Sequence, residues 1–394
     1  MKNLDIVIAA ARRTPIGAFQ GGLAPVAVPQ LGATVISSAL GEAGLDAADV
    51  SEVIMGCVLP AGVGQAPARQ AALGAGVPNS VGCTTINKVC GSGMKATMLA
   101  HDLIRAGSAD IVIAGGMESM SNAPYLMPKA REGYRMGHQQ VLDHMFYDGL
   151  QNPYDNQMMG HFAELTADRY SFTREEQDEF SSTSVRRARE ASENGAFATE
   201  IAPVTVKTRR GESVVDKDEE PFRCDLDKIP TMRPAFRKDG GTVTAASSSS
   251  ISDGAAALVI MTAEEADRRD ITPLARIVGH SGYAHEPEWF TTAPVSAVRA
   301  LQEKLGWTPA DVDLYEINEA FAVVAMAAMR DLGIDHEKLN INGGACALGH
   351  PIGATGARLL VTLTHALRAR GLKRGIASLC IGGGEATAVA IETA

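Results

Sequence analysis

A short segment near the start of this chain, Ala48-Asp49-Val50-Ser51-Glu52-Val53-Ile54-Met55-Gly56, returns 262 positions later as Ala310-Asp311-Val312-Asp313-Leu314-Tyr315-Glu316-Ile317-Asn318. Both copies are preceded at the same distance by a glycine and a large apolar residue, Gly44-Leu45 and Gly306-Trp307. At almost that offset Gly93 falls on Gly356. A little further on, the turn Ile113-Ala114-Gly115-Gly116 falls on Cys380-Ile381-Gly382-Gly383. Self-similarity at one fixed spacing limits the fold more than any composition does, and two copies of one α/β unit are the economical explanation. A length of 394 residues, more than one typical domain, agrees with a duplicated unit.

Each copy alternates strand and helix patterns. In the first, Asp5 to Ala10 reads as a strand, Pro29 to Ala43 as a helix with proline in its first turn, Val53 to Cys57 as a strand and Ala66 to Leu73 as a helix. A further helix, Gly93 to Arg105, precedes the apolar run Ile111 to Ala114. In the second, strand Leu274 to Gly279, helix Pro294 to Leu305, strand Leu314 to Ile317 and helix Ala320 to Leu332 lead to helix Gly356 to Arg370 and strand Ile376 to Ile381. Such alternation predicts an α/β class with largely buried strands. Between the copies, residues 119–242 are richer in charge, methionine and tyrosine. Their one clear helix is Arg174 to Glu193, opened by Thr173 with Glu176 three residues on, and the rest reads as loop. The expected organisation is a first half (1–118 plus 243–270), a loop or lid domain (119–242) and a second half (271–394). Insertions of this length serve as lids or binding loops, and Lys207, Arg209, Arg210, Arg223, Arg233, Arg237 and Lys238 are the basic candidates for an anionic group there.

Composition excludes several classes. A net charge of −10 argues against a nucleic-acid partner, and the short, interrupted apolar runs argue against a membrane span. The opening Met1 to Ile8 carries an apolar run too short for an export signal, so a cytoplasmic protein is expected. The six cysteines are too sparse for a disulfide framework and lack the spacing of a zinc site, so reduced thiols and no metal are expected.

Four stretches carry chemistry-bearing residues. Cys90, in Asn87-Lys88-Val89-Cys90-Gly91-Ser92-Gly93, should lie at a helix N-terminus, where unpaired N–H groups lower a thiol's pKa, with flanking glycines admitting substrate to the sulfur. The others are Glu316-Ile317-Asn318-Glu319-Ala320-Phe321-Ala322, the turn Asn342 to Gly353 containing His350, and Cys380-Ile381-Gly382-Gly383-Gly384-Glu385 at a strand end. A histidine beside a thiol suggests a nucleophile and its base, and a second thiol suggests an acid and base at a carbon next to a thioester. Backbone N–H groups near Gly382 are candidate oxyanion donors, each typically worth roughly 3 kcal/mol. A buried core cysteine, a structural His-Pro turn and an ordinary glycine turn are the competing readings.

Taken together, Asn87 to Ala96, Gly116 to Ser121, Asn318 to Ala322, Asn342 to Gly353 and Cys380 to Gly384 resemble the thiolase family over essentially the whole length, most closely its short-chain, acetoacetyl-CoA-forming branch. The resemblance implies two similar βαβαβαβαββ halves in a duplicated, five-layered αβαβα fold with an inserted loop domain, assembled as a homodimer or homotetramer. It implies reversible Claisen condensation of two acetyl-CoA to acetoacetyl-CoA and coenzyme A through an acetyl-cysteine, without a prosthetic group. By the same resemblance Cys90 is the acylated nucleophile, His350 activates it and binds the thioester oxygen, and Cys380 is the acid and base. Asn318 would hold a water in one oxyanion hole, and the N–H groups of Cys90 and Gly382 would form the other. The matching coenzyme A positions are Leu150, Met159, Arg223, Phe236, Ala245, Ser249, Ala320 and Phe321. The chain departs from the family in having Ala246-Ser247-Ser248-Ser249-Ser250 around the pantetheine serine, Met158 in place of a frequent histidine, and Phe290 where a methionine often lines the acyl pocket. The larger ring is expected to favour acetyl and short acyl groups. A broad-chain 3-ketoacyl-CoA thiolase of fatty acid oxidation is the nearest rival. A ketoacyl carrier-protein synthase, which usually pairs its cysteine with two histidines, and a catalytically silent acyl-CoA or sterol carrier are further ones.

Overall fold

The computed structural model describes residues 4–209 and 211–393; Met1 to Asn3, the basic candidate Arg210, and Ala394 lie outside the described residues. The duplication is visible in the strand pairing. One hydrogen-bonded series runs Gly82–Ile86, Glu52–Gly56, Ile111–Ser119, Ser252–Thr262 and Ile6–Arg13, and continues through Ala275–Ala284, Glu385–Glu392, Arg374–Ile381 and Leu314–Ile317. In each half a parallel pair, Glu52–Gly56 with Ile111–Ser119 or Leu314–Ile317 with Arg374–Ile381, is followed by two antiparallel pairings. The halves join where Ile6 opposes Ile277 and Ile8 opposes Ala275. The outermost strand of the first half is reduced in the second to one parallel bridge, Tyr315 to Leu339.

The repeated segments fold alike down to their caps. The helices Val28–Ala43 and Ala293–Leu305 both end on a left-handed glycine, Gly44 at φ 65° and Gly306 at φ 66°. Both are followed by a 3-10 turn closed by a capping box, Asp46 with Asp49 and Thr308 with Asp311.

Buried apolar side chains divide into three main cores. Val35, Ile36 and Ala39 of the first outer helix meet Ile113 and Val259. Val298 and Leu301 of the helix Ala293–Leu305 meet Val323, Ile317 and Ile376 on the opposite outer side. Between the two halves of the series, Met94 and Met98 of the helix Ser92–Ala106 and Leu359, Leu360 and Leu363 of the helix Ile352–Ala369 meet Val112, Leu258 and Leu379. Adjacent residues of one strand, Val112 and Ile113, thus serve different cores, as the period of two requires. The two halves of this strand series, a central helix pair and two outer helix layers give five layers.

The two central helices touch at the repeat-related glycines. A Cβ on Gly93 would stand 2.8 Å from the Ala357 nitrogen, and one on Gly356 would stand 2.4 Å from the Met94 nitrogen. Their equivalence in the sequence is therefore a contact across the pseudo-twofold axis.

Two expectations need correction. Gly115 and Gly116 do not turn; they lie inside the buried strand Ile111–Ser119. They are glycine because the carbonyl oxygens of Ala256 and Gly353 come within 2.1 Å and 1.9 Å of where their Cβ atoms would be. The insertion is also more ordered than a loop. Beyond the helix Arg174–Glu193, whose box pairs Glu176 N with Thr173 Oγ1 at 3.1 Å, it holds the helix Met159–Tyr170, a π-helical turn Met145–Leu150 and a hairpin of Val204–Thr208 with Gly211–Val215. Arg13, fully buried, fastens this insertion to the first strand through Glu200 at 2.6 Å and Asp218 at 2.7 Å.

Candidate active site

Residues 87–92 form a tight turn after the strand Gly82–Ile86. Val89 sits at φ 45°, a left-handed conformation that a β-branched side chain resists, and local hydrogen bonds hold it there. Asn87 Oδ1 accepts from Val89 N at 2.9 Å. Ser92 Oγ donates to Val89 O at 2.7 Å and accepts from Lys88 N at 2.8 Å. Lys88 pairs with Glu385 and so binds this turn to the one beyond Cys380.

Cys90 comes immediately before Gly91, the N-cap of the helix Ser92–Ala106. Burial pushes its thiol up to about 11, although the backbone N–H groups of Gly382 and of Cys90 itself are directed at the sulfur and pull the other way. A thiolate in the resting protein is therefore not what this environment favours, contrary to the reading from helix position alone. The flanking glycines also have another cause. Gly93 serves the helix crossing, and a Cβ on Gly91 would lie 2.4 Å from Ile381 Cδ1, so packing also favours small residues here.

Cys380, the penultimate residue of the strand Arg374–Ile381, is fully buried, and burial together with the neighbouring Cys90 thiol holds it well above the usual cysteine range. Gly382 to Gly384 turn the chain back, with Gly383 and Gly384 at φ 96° and 90°. All six cysteines are free.

His350 lies in the turn before the helix Ile352–Ala369. Its Nδ1 stands 2.7 Å from Thr355 Oγ1, which donates to Pro351 O at 3.0 Å. The hydroxyl has spent its proton on the carbonyl and accepts from the ring, so Nδ1 carries the hydrogen and Nε2 presents a lone pair. Burial, with the Arg358 charge, pushes the ring down to about 3, so it is neutral. Asn318 follows the strand Leu314–Ile317; its backbone N–H donates to Ser378 O at 3.0 Å, and its buried Oδ1 has no partner.

Cys90, His350 and Gly382 line one cavity of about 200 Å³. Leu150, Met159, Phe236, Ser249, Ala320 and Phe321 line it too, so six of the eight expected coenzyme A positions share one wall with the thiol. Met158 and the buried Phe290 also face it. Ala245 and Arg223 do not; Ala245 is exposed, and Arg223 is an exposed side chain 3.9 Å from Glu220. Of the other basic candidates, Lys207 pairs with Glu212 at 2.9 Å and Arg237 with Asp168 at 2.6 Å. Among the four serines, Ser249 Oγ donates to Ala320 O at 3.0 Å, whereas Ser247 is buried against Thr244 and Ser250 Oγ is unpartnered.

Sequence reading missed two positioning residues. Glu118, fully buried, accepts from Val58, Leu59 and Gly353 backbone N–H groups at 3.0, 3.1 and 2.9 Å, and burial pushes its carboxyl up to about 7. It ties the chain just beyond the strand Glu52–Gly56 to the start of the helix after His350. A lone acid in the otherwise apolar run from Ile111 was the available signal. Thr355, the partner of His350, was legible only as a hydroxyl one turn into that helix.

Known proteins resemble the chain in sequence and in fold. Two family profiles match the chain: Thiolase, N-terminal domain, over residues 6–264, and Thiolase, C-terminal domain, over residues 271–393. Acetyl-CoA acetyltransferase 2 of Arabidopsis thaliana is 50% identical over 390 residues, covering 98% of this chain and 97% of that protein. The acetyl-CoA acetyltransferase of Cupriavidus necator is 50% identical over 98% of this chain and 99% of its own. A thiolase from Ascaris suum, solved in complex with coenzyme A, superposes with a TM-score of 0.94 at 41% identity, over 99% of this chain and 100% of that one. The acetyl-CoA acetyltransferase of Bacillus anthracis gives 0.97 at 43%, over 99% of both.

Proposed function

The chain belongs to the thiolase family, and from that premise we propose that it condenses two acetyl-CoA reversibly to acetoacetyl-CoA and coenzyme A through an acetyl-Cys90 intermediate. The observation that carries the reading is the shared wall: Cys90, His350 and Gly382 meet six expected coenzyme A positions in one cavity, with Cys380 against Cys90.

The Cys90 thiol gives its proton to His350 Nε2 as the sulfur attacks the thioester carbon. The oxyanion is held by the His350 N–H and by a water on Asn318. The carbon–sulfur bond to coenzyme A breaks, and the departing sulfur takes the proton of Cys380, leaving a Cys380 thiolate beside the acetylated Cys90. That thiolate removes a methyl proton from a second acetyl-CoA. The carbanion attacks the acetyl carbon, whose oxygen lies against the Cys90 and Gly382 N–H groups. Acetoacetyl-CoA forms, and the Cys90 sulfur recovers its proton from His350. The high pKa of Cys380 suits both duties, since a thiol that holds its proton firmly is, once deprotonated, a strong base.

In this reading residues 119–242 cover the coenzyme A, Ser249 offers the polar contact, and Arg223 and Ala245 reach the ligand only at its outer end. The assembly is a cytoplasmic homotetramer or homodimer. No helix among the described residues is long and apolar enough to cross a membrane. The short-chain reading is favoured over a broad 3-ketoacyl-CoA thiolase because Phe290, 3% exposed, occupies the cavity wall. Thiolysis of acetoacetyl-CoA and of longer 3-ketoacyl-CoAs, with Cys90→Ala as the blank, decides between them. Activity confined to four or five carbons is expected. Equal cleavage of an eight-carbon substrate would transfer the protein to the broad class, and activity in the blank would overturn the site.

A further inference from the structure

Near the C-terminal end of the helix Ser92–Ala106, His101 and Asp102 meet His280 of the strand Ala275–Ala284. Asp102 Oδ1 lies 3.0 Å from His101 Nδ1 and 3.0 Å from His280 Nε2. The two rings stand edge to face with centroids 5.0 Å apart. One atom from each side chain falls within 4.8 Å of the other two. No other group of three or more possible ligands converges in this way among the described residues. The reaction above uses none of them, and none lines the cavity.

We propose that His101, Asp102 and His280 are a binding site for a borderline divalent cation, Zn²⁺ or Co²⁺, that staples the first half of the chain to the second. The argument starts with distances. Ligand atoms about 2.0–2.2 Å from a tetrahedral zinc are about 3.4 Å from one another. The two 3.0 Å separations differ from that value by a few tenths of an ångström, and the remaining pair of ligand atoms lies within 4.8 Å.

Ligand type selects the ion. Two imidazoles and a carboxylate suit zinc, cobalt, nickel and copper, whereas calcium and magnesium prefer all-oxygen sets. The site is also asymmetric in its exposure. His101 is buried and the His280 side chain is 15% exposed, so two ligands are fixed by packing, while the Asp102 side chain is 52% exposed and leaves the fourth position to water. Lys304 donates to the His280 carbonyl at 3.2 Å from an exposed position, so its charge is largely screened by solvent.

In the absence of metal the same three groups form a His–Asp–His hydrogen-bond bridge, with each ring donating to one carboxylate oxygen. Metal binding replaces two N–H donors by two nitrogen lone pairs, with each ring's proton moving to its other nitrogen. No oxidation accompanies the exchange. His101 sits ten residues past Gly91 on the helix that begins at the nucleophile turn, on the order of 15 Å along its axis, so the ion acts on the stability of the halves and not on the chemistry.

The test is titration of the intact protein with CoCl₂ and ZnCl₂, alongside Asp102→Asn and His280→Asn. Wild type should take up one Co²⁺ with visible d–d absorption and without the near-ultraviolet thiolate band that binding at Cys90 or Cys380 would give. Its unfolding midpoint should rise with added Zn²⁺. Both variants should lose at least tenfold in affinity and the rise in midpoint while cleaving acetoacetyl-CoA as wild type does. Asp102 is half-exposed, so its variant keeps the fold even where that of His280 does not. Zinc-soaked crystals should show an anomalous peak between His101 Nδ1 and His280 Nε2. Unchanged affinity in Asp102→Asn, a thiolate band, a peak elsewhere, or no binding at millimolar metal would each overturn the assignment.

Discussion

Asn318 Nδ2 stands 3.5 Å from His350 Nε2, the nitrogen that the Thr355 contact leaves without a hydrogen. The amide therefore faces the lone pair on one ring nitrogen while Thr355 holds the other. In the proposed reaction this lone pair receives the Cys90 proton, so the orientation of one imidazole depends on a hydroxyl that never touches substrate.

Thr355→Val should accordingly lower kcat by about ten- to a hundredfold with KM nearly unchanged, because it releases the tautomer and not the coenzyme A wall. An unpartnered buried N–H costs about 1–3 kcal/mol, so the variant should also melt earlier. Thr355→Ser should restore both. Steady-state kinetics of the pair separate this from general loosening, which would raise KM as well.

The resting thiol gives a second prediction. With Cys90 raised to about 11 and His350 lowered to about 3, both are neutral at pH 7, and thiolate amounts to roughly one part in ten thousand. Alkylation by iodoacetamide should then climb about tenfold per pH unit from pH 7 to 10. A rate already level below pH 8 would instead reveal a preformed thiolate–imidazolium pair.

Gly356→Ala should be more damaging than an ordinary helix substitution, since its Cβ would meet backbone, the Met94 nitrogen, at 2.4 Å. Spreading the central helices costs about 1–3 kcal/mol as overpacking, and it displaces the helix that starts just after Cys90. Gly93→Ala, at 2.8 Å from Ala357 N, should behave alike, whereas Gly41→Ala, which meets nothing, should be neutral or stabilising. Thermal unfolding of the three variants compares them directly.

These glycines also show what the sequence could and could not disclose. The repeat was legible because helix ends are written locally, and Gly44 and Gly306 each supply the left-handed cap that their helix needs. Gly115 and Gly116 were misread because a glycine pair signals a turn unless one knows that a carbonyl from another element presses on it. The helix Met159–Tyr170 escaped notice because Met158 offers no capping side chain. Cys90, His350, Asn318 and Cys380 stood out as residue types in glycine-rich settings, but the acidity of Cys90 depended on burial created by the fold, and no local signal carries that.

Arg13→Met tests the link between the insertion and the core. It would leave the Glu200 and Asp218 carboxylates, each 1% exposed, without their cation. Breaking a buried pair from one side costs about 3–5 kcal/mol, and the two carboxylates here share one guanidinium. A loss of that size in denaturant unfolding is expected, with the triple variant Arg13→Met, Glu200→Gln, Asp218→Asn recovering part of it. Equal stability of Arg13→Met and wild type would mean that the carboxylates take up protons or water without penalty.

In the short-chain reading it is Phe290 that sets the reach of the pocket. Its ring is buried, meets Phe162 edge to face at 6.3 Å and lines the cavity with Cys90. A longer acyl chain attached to Cys90 would need the volume this ring fills, and packed interiors do not yield it by small displacements. Phe290→Ala opens that volume at a cost of about 3–5 kcal/mol in stability. One methylene in an apolar pocket is worth about 1–3 kcal/mol of discrimination, so kcat/KM for a six-carbon 3-ketoacyl-CoA relative to acetoacetyl-CoA should rise at least tenfold. Phe290→Met, which nearly conserves volume but adds flexibility, should give a smaller rise. If the ratio stays fixed in both variants, the limit lies elsewhere in the wall, with Met158 and Phe146 the next side chains to replace.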